Sequence, residues 1–241
     1  MEDLPRSARL VCWFNAWIAG SAALDDLADD VLDNDAGHDV IGLGGGADGL
    51  QPLLLAAGAL RRRGANAATL ALPVPGDPAG LAGPRTFTEA AIEAGEAVIF
   101  VGAATGLVPT TVGAEVVWAA HPAEPAGLLD VAEQERTLRE VLAATTVLVS
   151  GVDRERWRPE LAATLTAARS RHARALPITY STRAVRLADM ALRCRSIANL
   201  DLAFPQDDRI TGALRALERS ARHALVAATS EPAKQRADAA R

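Results

Sequence analysis

The chain has 241 residues, 49% of them apolar and 23% charged, with a net charge of −5 and a pI near 5.4. These values exclude a disordered or fibrous chain, and no run reaches the ~18 uninterrupted apolar residues that a membrane-spanning helix needs. Of the 25 cations only Lys234 is lysine, and so acidic a chain makes a poor electrostatic footprint for nucleic acid.

The charge is unevenly spread. Residues 1–123 hold six Arg against fifteen Asp and Glu, whereas residues 124–241 are net basic. Oppositely charged halves facing each other, within one chain or across a homo-oligomer, account for this more simply than an acidic partner does. Arg6 and Arg9 precede the apolar run 10–19, as in a secretory leader, but Glu2, Asp3 and Asn15 spoil that pattern. Cys12 and Cys194 lie far apart in apolar runs without metal or redox spacing, which fits free thiols in a reducing, cytoplasmic compartment.

In chain order, Leu10 to Ile18 reads as a buried strand, with a helix as the alternative. Ser21 is a plausible N-cap for a helix whose apolar face is Leu24, Leu27, Ala28, Val31 and Leu32. Asp39 to Leu43 is a short strand. A glycine-rich turn follows, then a helix from about Leu50 to Arg63 closed by Gly64. Ala68 to Pro73 is the next strand, running into the turn Val74–Pro78. Segments 87–94, 97–101 and 110–120 read as strands, the first with a helical alternative. Prolines and glycines at 121–128 mark a boundary.

Beyond that boundary the pattern is helical. Asp130 and Glu133 form a capping box before an apolar face that continues to Val149. Pro159 opens a second helix, a third spans about 181–198, and Ile210 to Ala228 keep i, i+3, i+4 spacing for about five turns. The expectation is an α/β fold: a partly parallel sheet with crossover helices in residues 1–123, a helical region in 124–230 packed on it, and a polar tail in 231–241.

The leading chemical motif is Gly42 to Gly49. Gly44, Gly46 and Gly49 keep the GxGxxG spacing after a strand and before a helix, where backbone N–H groups can approach an anion. The acid of a dinucleotide site, ~20 residues on, is missing, and a loop without function is the simpler reading. If strands 39–43 and 68–73 are parallel neighbours, Asp77 and Arg85 reach the same rim. The candidate ligand-binding set is therefore Gly44, Gly45, Gly46, Gly49, Asp77 and Arg85, for a small anionic metabolite. Asp25, Asp26, Asp29, Asp30 and Asp33 match a DDxxD cation motif, but they fall opposite the apolar face and read as solvated. The four histidines lack metal spacing, and no cofactor is implied.

Two segments, Trp13-Phe14-Asn15-Ala16-Trp17-Ile18-Ala19-Gly20 and Leu72 to Pro84, together with 94–98, resemble a family of uncharacterised proteins from high-GC bacteria. The resemblance brings no activity and no catalytic residues. The expectation for function is an intracellular protein that self-associates and holds a small anion or metabolite at the strand rim. The alternative is an enzyme acting on a phosphorylated or carboxylated small molecule.

Overall fold

The computed structural model describes residues 4–44, 49–150, 176–177, 179–202 and 208–231. The helix expected after Pro159 and the polar tail beyond Glu231 lie outside them. The chain divides into two compact units: Pro5–Leu128 with Leu176–Ser181 and Thr229–Arg241, and a helical unit of Met1–Leu4, Leu129–Ala175 and Thr182–Ala228.

The first unit runs α1 (Arg6–Ile18), α2 (Leu24–Leu32), β1 (Gly37–Ile41), β2 (Leu50–Pro52), α3 (Leu53–Arg62), β3 (Ala67–Ala71), α4 (Arg85–Ala94), β4 (Ala97–Val101), β5 (Thr105–Val112) and β6 (Glu115–Pro122). Its six strands form one sheet in the order β2-β1-β6-β5-β4-β3. Only β1 and β6 are parallel; every other neighbouring pair is antiparallel. The α/β fold with a partly parallel sheet is thus as expected from the sequence.

Three local expectations change. Segment 10–18 is helical: buried residues occur on most sides of α1, including Ser7, Leu10, Val11, Cys12, Phe14 and Asn15, so it lacks the narrow one-sided stripe of a surface helix. Segment 87–94 belongs to α4, which buries Phe87 and Ala91 four residues apart and ends on Gly95 in the left-handed region (φ 75°). Segment 110–120 is two strands rather than one, folded back at Gly113-Ala114 between β5 and β6. Ser21, expected as an N-cap, instead donates its hydroxyl to the Ala16 carbonyl at 2.7 Å. Helix α2 begins after Ala23, whose N–H the Asp26 carboxylate accepts at 2.8 Å.

Register assigns the sheet faces, because paired residues point the same way. On the inner face Phe100 meets Phe14 of α1 edge-on at 4.8 Å, and α3 packs against β1 and β2. On the outer face Ile99 and Val108 join Phe87 and Ala91 of α4 in a closed apolar cluster. Gly106 makes that possible, since a Cβ there would sit 2.5 Å from the Phe87 ring.

In the helical unit, α5 (Val131–Ser150), α6 (Thr182–Leu202) and α7 (Asp208–Ser230) follow the periodicity read from the sequence. Asp130 caps α5 by accepting the Glu133 N–H at 2.8 Å. Among the described residues no helix is long and apolar enough to cross a membrane.

Candidate functional site

The glycine turn leaves the carboxyl end of β1, beside the carboxyl end of β6. Gly42, Gly44 and Gly49 all hold positive φ (89°, 70° and 71°), which disfavours any residue with a Cβ. At Gly42 the space is also short, because a Cβ would come within 3.3 Å of the Ala120 carbonyl. Arg63, just beyond α3, donates to the Leu43 carbonyl and fixes the start of the turn. Gly45 and Gly46 lie outside the described residues.

Asp77 does not join this turn. β1 and β3 are separated by β6, β5 and β4, about 19 Å at ~4.8 Å per strand. They also run in opposite directions, so their carboxyl ends lie at opposite ends of the sheet. The expected parallel neighbours are thus neither neighbours nor parallel. Asp77 is buried in a tight turn in which it and Val74 exchange two backbone hydrogen bonds of 2.9 Å. Arg85 opens α4 two residues after Gly83, which lies against Ala123 and Glu124 just past the carboxyl end of β6, and its exposed side chain pairs with Glu89 one helical turn on, at 2.6 Å.

A second polar cluster escaped the sequence reading. Arg6 of α1 grips Asp35 through two hydrogen bonds of 2.7 Å, and Asp35 lies 3.0 Å from Nε2 of the buried His38. On the other side of the ring, Trp118 Nε1 donates to His38 Nδ1 at 3.2 Å. An indole N–H can only donate, so Nδ1 must be the bare nitrogen and Nε2 carries the proton to Asp35. Burial lowers the His38 pKa further than its bond to Asp35 raises it. The Arg6 guanidinium holds the Asp35 carboxyl well below the usual carboxylate range. With both ring nitrogens occupied, His38 fastens α1, β1 and β6 together and has no lone pair left for acid–base work. Arg9 adds a 2.5 Å ion pair to Asp33. The Glu96 carboxylate accepts the Ser7 N–H at 2.8 Å, capping α1, which has no side-chain cap of its own.

The other buried polar groups close the β3 edge. The Asn15 amide behaves as a strand residue: it accepts the Ala68 N–H at 2.7 Å and donates to the Ala68 carbonyl at 2.9 Å. Two residues on, the Ser230 hydroxyl accepts the Leu70 N–H at 3.0 Å. Tyr180 donates to the Thr229 carbonyl at 2.9 Å. Both cysteines are free and buried. Burial pushes the Cys12 thiol far up and the Cys194 thiol up to about 11, which removes nucleophilic character from each.

Among the described residues α4 packs on the outer face over β3–β5 and part of β6, and Asp39, Ile41, Leu50, Val117, Ala119 and His121 share that side of β6, β1 and β2. Ile41 and Leu50, register partners, are 41% and 43% exposed.

The five aspartates of 25–33 are exposed as the sequence indicated. Among the described residues no group of three or more His, Cys, Asp and Glu side chains is placed to hold a metal ion.

Two curated relatives, both called uncharacterised proteins, come from Mycobacterium tuberculosis: MT1533 of strain CDC 1551 / Oshkosh and Rv1486c of strain H37Rv. Each is 38% identical to this chain, over a match that covers 43% of this chain and only 43% of the relative's own length. No solved structure matches. Family models described as the N-terminal and C-terminal domains of Rv1486c-like protein match residues 7–132 and 132–226. The chain therefore belongs to the Rv1486c-like protein family.

Proposed function

We propose that this is a non-catalytic, self-associating protein of a reducing compartment that holds a small anion or metabolite at the carboxyl rim of β1 and β6. The observation that carries the reading is the place of the glycine turn. It emerges where the two parallel strands both end, the position at which α/β sheets collect ligands. Positive φ at Gly42, Gly44 and Gly49 frees the backbone to turn its N–H groups toward an anion. Asp77, beyond β3 at the opposite end of the sheet, takes no part in this pocket, whereas Arg85, near the residues that follow β6, stays its candidate clamp.

Support for a binding rather than an enzymatic role comes from the groups that chemistry would need. The two thiols are buried and hard to ionise, and His38 is committed on both nitrogens. Two buried free cysteines favour a reducing compartment. The opposed charges of the two halves of the chain support self-association. We also take segments 13–20 and 72–84 as marks of the family, because both wrap β3: Asn15 pairs with Ala68, and the Leu72 N–H is held by the Ala79 carbonyl at 3.0 Å.

A thermal-shift panel of nucleotides, sugar phosphates and small carboxylates tests the pocket. At least one class should raise the melting temperature of the wild type. Gly44→Val and Arg85→Ala should each abolish that rise. An unchanged response in Gly44→Val, or no response in the wild type, would refute the pocket.

A further inference from the structure

We propose that Arg63 clamps the ligand of the glycine turn from the α3 side, and that the group it holds there is a phosphoryl dianion. This rests on the anion-pocket reading above and names the ligand class of that same site. β2 ends opposite Asp39, which lies four residues, or about 13 Å of extended chain, short of Leu43. The ten residues of α3 then rise about 15 Å, enough to carry the chain back level with the turn. Arg61, Arg62 and Arg63 arrive together at that end of the helix.

The charge of this rim stands apart from the rest of its unit. Residues 1–123 hold six arginines among fifteen acids. Arg6, Arg9 and Arg85 each pair with a carboxylate, those of Asp35, Asp33 and Glu89. Arg61, Arg62 and Arg63 are exposed, and none has a carboxylate partner among the described residues. Their side chains are not needed to cap the helix either. The carbonyls of Ala59, Leu60 and Arg61 accept backbone N–H groups from Arg63, Gly64 and Ala65. Arg61 lies over Trp17, 4.9 Å from the ring centroid, and Arg62 folds back beside Gly58. Arg63 instead reaches across to the turn, where its guanidinium donates to the carbonyl of the buried Leu43. That bond fixes the head group beside the glycines and uses one of its five N–H donors.

The donor set selects the ligand. Positive φ at Gly44 and Gly49 frees backbone N–H groups on both limbs of the turn. A carboxylate has two oxygens, and a guanidinium fork occupies both. A phosphoryl group has three, so it can meet the fork and the backbone N–H groups at once. It also carries nearly twice the charge of a carboxylate and gains in proportion from the field of Arg61 and Arg62.

Titration calorimetry with inorganic phosphate, pyrophosphate and acetate as probes is the test. Wild type should bind phosphate and pyrophosphate, and acetate at least tenfold more weakly. Arg63→Gln should weaken phosphate binding at least tenfold. Arg63→Lys, which restores the charge without the fork, should recover most of that loss. Arg61→Gln and Arg62→Gln should weaken binding about twofold at low salt and have no effect in ~0.5 M salt. Acetate bound as tightly as phosphate, or phosphate bound unchanged by Arg63→Gln, would overturn this assignment and leave the pocket standing. So would Arg63→Lys binding no better than Arg63→Gln, because Arg63 would then only shape the turn. A wild type that binds neither phosphate nor pyrophosphate overturns the clamp, and the pocket falls with it when the metabolite panel is silent too.

Discussion

Replacing Asn15 isolates the contribution of a side chain that stands in for a strand. The Asn15 amide pairs with the N–H and the carbonyl of Ala68, and both residues are almost wholly buried, at 5% and 1% exposure. Asn15→Ala leaves two backbone groups without partners where water does not reach. Each orphaned group costs about 1–3 kcal/mol, so the loss should be about 2–6 kcal/mol, a large share of a domain's stability. Asn15→Asp sharpens the test. Its carboxylate still accepts the Ala68 N–H but faces the Ala68 carbonyl with no proton to give. Once protonated it regains a donor and imitates the amide. The folded pKa of this new Asp is therefore raised, and the variant should lose stability as pH rises from about 4. Urea unfolding of wild type and both variants at pH 7 and pH 5 measures this. A cost under about 0.5 kcal/mol for Asn15→Ala, or no recovery of Asn15→Asp at pH 5, would refute the claim that this amide holds the edge.

Acid should unfold the protein in two stages. The His38 pKa is lowered, so the unfolded chain takes up a proton below about pH 6.5 that the folded chain refuses, and stability falls as pH drops through that window. Asp35 follows: its stabilisation, complete above about pH 4, is lost as pH falls toward its depressed folded value. Glu96 works the other way, its raised pKa taking stability away as pH climbs above about 4.5. His38→Gln should erase the first stage in melting temperature against pH and leave the second. At Gly106, an added methyl meets the Phe87 ring at 2.5 Å and Ala123 at 2.9 Å, so Gly106→Ala should cost about 1–3 kcal/mol. Phe87→Leu in the same chain should recover part of that cost, read as a non-additive term in a double-mutant cycle.

Helices with one apolar stripe, α2 and α5 to α7, were legible in the sequence because burial on one side leaves a 3.6-residue beat. α1 was ambiguous because it is buried on most sides, and a continuous apolar run has no period. α4 was obscured by Phe87, Thr86, Thr88 and Ile92, residues that favour strands, and only its packing on Gly106 and Ile99 makes it a helix. Strand order was out of reach, since nothing local tells β1 that its parallel neighbour lies more than seventy residues later in β6. That missing link is why Asp77 was grouped with the glycine turn. The His38 cluster joins residues 3 to 80 positions apart, and only Asp35 and His38 are near enough in sequence to have hinted at it. Asn15 did leave a trace: a lone amide inside an apolar run signals a buried hydrogen-bonding duty.

The closure of β3 has a bearing on biosynthesis. Its outer N–H groups are shared between a helix near the amino end and a hydroxyl 160 positions downstream of Leu70. A ribosome-bound chain therefore carries this strand half-shielded until Ser230 has been translated. During that interval a neighbouring nascent copy can zip onto the bare margin. Helix α1, already emerged and holding Ala68 through Asn15, guards the margin in the meantime.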